Sequence, residues 1–77
     1  NKLQGWIDKI EVKEVWFSLM GNGVANYTEE VELRKDTLYV KLTSSVLREE
    51  LMFGREKIIK LINQEIGKEV VKALVLR

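Results

Sequence analysis

SVLREELMFGREKIIKLINQEI, residues 45–66, is the stretch whose reading decides the fold. Leu47, Leu51, Ile58, Ile62 and Ile66 fall on one stripe at helical spacing, and Met52, Phe53, Ile59 and Leu61 widen it. Arg48, Glu49, Arg55, Glu56, Lys60 and Gln64 fill the opposite side. That pattern predicts an amphipathic helix of about six turns, which needs a surface to cover. Gly54 falls where the next member of the stripe belongs. Either another backbone approaches closely there, or the segment breaks into two helices. Ser44 or Ser45 can cap the first amides, and Gly67 closes the segment after Ile66.

Alternating stretches before and after this segment supply the surface. Val31 and Leu33 alternate with Glu30, Glu32 and Arg34, and Leu38, Val40 and Leu42 alternate with Thr37, Tyr39, Lys41 and Thr43. A period of two is that of strands buried on one face. A two-residue turn at Lys35–Asp36 then sets Leu33 opposite Leu38 and Val31 opposite Val40. On the other face, Glu32 meets Tyr39 and Glu30 meets Lys41, an opposite-charge pair. A type I′ turn prefers glycine at its second place, where Asp36 stands. Residues 70–76, VVKALVL, read as a last strand. Its poor alternation suggests burial on both faces or a middle place in the sheet. A strand–helix–strand order at the end favours a parallel crossover.

Residues 2–20 read as helical. Leu3, Ile7 and Ile10 form one stripe, and Val15, Trp16, Leu19 and Met20 form another. The stripes do not join in one register across Glu11–Val12–Lys13, which suggests two short helices or one bent helix. Gly21–Asn22–Gly23 stops the second. The spacing of a dinucleotide fingerprint is missing around that GNG, so a phosphate loop is disfavoured. Val24 to Thr28 leads into the first strand. The expected class is α+β, in the order α-α-β-β-α(-α)-β, with a three-stranded sheet carrying its helices on one face. The 77 residues form one domain, 1–77.

Composition excludes several kinds of chemistry. The chain has no histidine and no cysteine, so the commonest general base and metal ligands are missing. Ser44 and Ser45 have no histidine partner for nucleophilic catalysis. Glu29–Glu30 and Glu49–Glu50 are sequence neighbours that diverge in a strand or helix and make no acid/base dyad. No catalytic residue, metal or cofactor is expected, and neither is a small-molecule substrate or a membrane partner, since no apolar run approaches the roughly 20 residues of a span. The chain begins at Asn1 rather than Met, so the natural protein is expected to begin earlier.

The formal net charge is +1. Residues 1–33 carry three lysines against six acids, while residues 34–77 carry ten basic residues against six acids. Such asymmetry can steer a polyanion to the C-terminal half. Tyr39 would sit on the outer sheet face with Arg34 and Lys41, beside Lys35 at the turn. An aromatic among cations on an open sheet suits single-stranded bases. Lys57 and Lys60, with Lys68 and Lys72, make a second basic edge. Trp16, on a stripe with Leu19, is most simply core.

A longer ordered pattern runs through the chain. It comprises W-x-x-L-M-G at Trp16–Gly21, Val24–Ala25, Thr28, Leu38–Tyr39–Val40, Thr43–Ser44–Ser45, Glu50–Leu51, Ile58 to Asn63, Gly67 and a closing strand ending at Arg77. Together these resemble the DciA family of bacterial proteins over roughly residues 10–77. The resemblance implies a domain similar to the K-homology fold. It implies a cytoplasmic, non-enzymatic role at replication initiation, recruiting or loading the replicative helicase DnaB without binding or hydrolysing nucleotide. It also implies weak contact with single-stranded or forked DNA, usually helped by basic or disordered extensions. Trp16 matches the family's tryptophan, as a helicase contact or a structural buttress. The family commonly has glycine before the second strand, where Asp36–Thr37 stands here. A Gly-x-x-Gly loop is missing, since Lys57 follows Gly54 by three places, and this disfavours sequence-specific RNA clamping. The alternative reading is a stand-alone K-homology-like domain binding single-stranded nucleic acid.

Overall fold

The computed structural model describes residues 2–77. Asn1 lies outside the described residues, and so does the expectation that the natural chain begins before it. The elements run α1 (Lys2–Ala25), β1 (Thr28–Arg34), β2 (Thr37–Leu42), α2 (Ser45–Phe53), α3 (Arg55–Ile66) and β3 (Ala73–Leu76). The class is α+β, with an open three-stranded sheet in the order β1-β2-β3. β1 and β2 are antiparallel, and β3 adds parallel to β2. Alternation places Val31, Leu33, Leu38, Val40, Leu42, Leu74 and Leu76 on one face, where they join the core or pack against it. All three helices lie on that side.

Of the two expected arrangements, two short helices or one bent helix, α1 is a single helix. It runs through Glu11–Val12–Lys13 without interruption and departs from helical geometry at Gly21, whose φ of 73° is open to glycine. Residues 22–25 then make a further helical turn. The two stripes fail to join because they lie on different faces of one helix. Val12 and Trp16 are fully buried, with Val15 and Met20 packed against the core. Leu3, Trp6, Ile7 and Ile10 point outward, and Leu19 is also exposed.

The hairpin holds the expected register, with Val31 opposite Val40, Glu32 opposite Tyr39 and Leu33 opposite Leu38. The turn differs from a type I′ turn. Lys35 alone takes a positive φ, 57°, which is the sign pattern of a II′ turn and relieves Asp36 of the left-handed conformation. Near its start β1 carries a bulge, because the register shifts between Thr28 and Glu30. Glu30 remains the register partner of Lys41, but the ion contact of Lys41 Nζ is with Glu29, at 4.0 Å. A second effect of the bulge is to turn Thr28 inward, level with Leu42.

The amphipathic segment is two helices. Ser44 Oγ accepts the Leu47 N–H at 3.2 Å and caps α2. Gly54, at φ −102° and ψ 17°, ends α2 and starts α3. A Cβ on Gly54 would meet nothing within 4 Å, so no other backbone approaches it. The stripe still turns inward on both sides of the break: Ile58 and Ile62 are buried, and Leu47, Leu51, Ile59 and Ile66 pack against the core. Met52, Phe53 and Leu61, expected to widen that face, are exposed. Met52 and Leu61 stand about 100° from the stripe residues Leu51 and Ile62, and Phe53 stands about 200° from Leu51, so they leave the buried side of their helices. Gly67 closes α3 in the left-handed conformation, with its N–H on Asn63 O at 2.8 Å.

The last strand is shorter than expected and lies at an edge of the sheet. Val70 and Val71 are buried in the loop before it. Asn63 holds that loop: its Oδ1 accepts the N–H groups of Val70 and Val71, each at 2.9 Å, and its Nδ2 donates to Val71 O at 2.8 Å. One half-buried amide therefore satisfies three backbone groups that no strand or helix would pair. Asp36 O accepts the Lys72 N–H at 2.7 Å and joins the same loop to the hairpin turn.

Candidate nucleic-acid interface

The sheet face away from the helices is uncovered. Alternation leaves Glu30, Glu32 and Arg34 of β1 on it, with Thr37, Tyr39 and Lys41 of β2 and Ala73 and Val75 of β3. Parallel pairing sets Tyr39 level with Val75 and Val40 level with Leu76, which brings Arg77 to the next outward position. The backbone of Arg77 extends the ladder, donating to Val40 O at 2.9 Å and accepting from Leu42 N at 2.7 Å.

Tyr39 sits at the centre of this face between two guanidinium groups. Arg34 Cζ and Arg77 Cζ each lie 5.2 Å from the centroid of its ring. Cations over a phenol ring are attracted by its negative face, worth about 0.5–1 kcal/mol each at an exposed site. Arg34 is also paired with Glu32, Nη2 to Oε1 at 2.9 Å. That hydrogen bond holds the Glu32 carboxyl below the usual glutamate range and raises the Arg34 guanidinium in turn. The face is therefore divided. Glu30 and Glu32 make the β1 side acidic, and Tyr39, Lys41 and Arg77 make the β2–β3 side aromatic and basic.

The candidate residues thus fall into three places. Arg34, Tyr39 and Lys41 share the open face, and Lys35 sits at the adjoining turn. Lys57 and Lys60 are exposed on α3, which packs on the other side of the sheet, so they do not join that cluster. Trp16 belongs to neither. Its ring has no exposed area, and its Nε1–H donates to Thr28 Oγ1 at 3.2 Å. Arg77 was not foreseen as a member of the face, because its placement depends on the register of β3. Phe53 was expected in the core and is 93 % exposed.

This chain matches the family model described as Dna[CI] antecedent, DciA, over residues 2–76. The chain belongs to the DciA family. No curated protein and no solved structure matches it. DciA membership gives the protein a role in replication, in helicase loading in general, on the side of adaptors and loaders rather than enzymes. Among the described residues no helix is long and apolar enough to cross a membrane. No cluster of acidic side chains suited to a metal ion occurs among them either.

Proposed function

We propose that this DciA domain is a cytoplasmic, non-enzymatic adaptor of bacterial replication initiation. It binds the replicative helicase DnaB, helps to recruit or load it, and makes weak contact with single-stranded or forked DNA. Family membership supports the helicase half. The observation that carries the DNA half is Tyr39 between Arg34 and Arg77 on an uncovered sheet.

The magnitudes favour exchange of a base for a guanidinium. A cation over the ring contributes about 0.5–1 kcal/mol, and the solvent-screened Glu32–Arg34 pair adds little. Stacking of a base on an aromatic side chain contributes about 1–3 kcal/mol. A base can therefore displace one arginine from the ring and leave that cation free for a phosphate. Glu30 and Glu32 repel phosphates, so the strand lies toward Lys41 and Arg77. So few cations on one face support a weak contact, whose log affinity falls by about 0.7 per phosphate neutralised for each unit of log salt.

The test is a pull-down with purified DnaB, alongside titration of a labelled forked DNA at several salt concentrations. Retention of DnaB, together with loss of DNA affinity in Tyr39→Ala, is the expected result. If DnaB is not retained while DNA binds tightly, the stand-alone nucleic-acid domain is the better reading. That second reading rests on the same fold as the first. The order α-β-β-α-α-β, with β3 parallel to the central strand, fits a K-homology-like domain.

A further inference from the structure

Phe53 is the most exposed large apolar side chain among the described residues, at 93 %. It is the last residue of α2 and stands two places after Leu51, about 200° around the helix, so it faces solvent rather than the core. Met52 beside it is also exposed. An open cleft at this junction is lined by Met52, Phe53, Gly54, Arg55, Glu56 and Lys57. Leaving a phenyl ring in water forgoes the stabilisation of burying it, and nothing in the fold gains from it.

The flanking charges say what could cover the ring. Arg55 and Lys57 lie two and four residues beyond Phe53, and both are exposed. Neither forms an ion pair among the described residues. Lys60 follows Lys57 by three places, one turn along the same side of α3. The only acid lining the cleft is Glu56. A bare aromatic ring with free cations within a turn of it is complementary to a ligand that alternates flat apolar rings with phosphates. Single-stranded nucleic acid is that ligand. An anionic membrane offers the same charge, but membrane binding grows with the apolar area inserted, and Met52 and Phe53 supply little. Stacking needs only one face of one ring.

We infer that the α2–α3 junction is a second anchor for single-stranded nucleic acid, with a base stacked on Phe53 and the neighbouring phosphates held by Arg55 and Lys57. It deepens the DNA half of the proposed function, and it requires neither the helicase nor the Tyr39 face.

Anisotropy of a fluorescein-labelled oligothymidylate tests it, with circular-dichroism melting to verify folding of each variant. Phe53→Ala weakens binding roughly ten- to a hundredfold, the span of one lost stack. Phe53→Trp restores it. Arg55→Gln and Lys57→Gln each lower the salt slope by about 0.7. Because Phe53 is exposed, the melting temperature of Phe53→Ala stays near that of the parent. Undiminished binding by Phe53→Ala overturns the inference. If Tyr39→Ala abolishes binding in that case, the sheet-face reading survives alone. If neither variant loses affinity, both readings fall. Sedimentation with phosphatidylserine vesicles that depends on Phe53, without oligothymidylate binding, overturns it in favour of a lipid surface.

Discussion

Trp16 gives its indole N–H to Thr28 Oγ1 at 3.2 Å, and the threonine is there because β1 bulges. The inward places of β1 are Val31 and Leu33, so strict alternation would turn residue 29 inward and Thr28 outward. One extra residue at the bulge reverses that. Thr28 then passes its own hydroxyl proton to Val24 O at 2.9 Å, so the two bonds join α1, its last turn and the sheet. A wholly buried tryptophan needs a polar partner for its N–H, and this bulge supplies one.

Removing that partner isolates a buried donor. Thr28→Val keeps the shape and leaves the indole N–H unpaired, so a loss of about 1–3 kcal/mol is expected. Trp16→Ala empties the centre of the core and costs about 3–5 kcal/mol. Urea denaturation of the two variants should rank them in that order. A Thr28→Val protein as stable as the parent would show that the bond carries no weight.

Asn63 is the residue on which the approach to β3 depends. Asn63→Ala strands two N–H groups and one carbonyl in a part-buried loop, a loss of roughly 2–4 kcal/mol. Asn63→Asp keeps an acceptor for Val70 and Val71 but loses the donor to Val71 O, so it should fall between Ala and the parent. Amide exchange at Val70 and Val71 should accelerate before exchange in the hairpin does.

Lys35 holds a positive φ that the Cβ of any L-residue disfavours. Lys35→Gly removes that strain of about 1 kcal/mol, and the added freedom of glycine in the unfolded chain takes some of it back. A net gain of up to about 0.5 kcal/mol is expected, read as a small rise in the urea midpoint. Asp36→Gly lacks the strain to relieve and should be neutral or destabilising. The two substitutions therefore distinguish a II′ turn from a I′ turn in solution.

Asp8 ties α1 to the loop after α3. Its Oδ1 accepts from Gln4 Nε2 at 3.0 Å and meets Lys68 Nζ at 3.1 Å. The Gln4 hydrogen bond first, and Lys68 after it, hold the carboxyl below the usual aspartate value against a modest opposing effect of burial. A carboxyl depressed in the folded state contributes stability above its unfolded pKa and loses it as pH falls through the folded one. The stability difference between the parent and Asp8→Asn, about 0.5 kcal/mol for so open a pair, should be full at neutral pH. It should vanish as pH falls through the folded-state pKa, which lies below the usual aspartate value. Chemical denaturation at several pH values checks both the size and the sign.

The sequence is most legible where one face of an element is buried and the other is wet. Leu33, Leu38 and Val40 alternate with charged or aromatic neighbours, and that period carries the hairpin register and the outward place of Tyr39 together. Legibility stops where burial has another cause. Val70 and Val71 are apolar because their side chains enter the core from a loop whose backbone Asn63 holds, not because they belong to a strand, so their pattern lengthens β3 wrongly and hides Arg77. Phe53 is misread for a plainer reason: two places after Leu51 it stands about 200° around α2, on the far side of the helix from the stripe. On α1 the count is sound but the inference is not, since two stripes out of register signal two faces of one rod as readily as two rods.

The middle ribbon, β2, meets its two neighbours on very different terms. β1 reaches it across a turn of two residues, a closure achieved within microseconds. β3 reaches it only after both α2 and α3 have been traversed, a longer and slower closure. During synthesis the hairpin can therefore form while Tyr39 still lacks its second arginine, and one edge of β2 stays open to intruders until Ala73–Leu76 arrives.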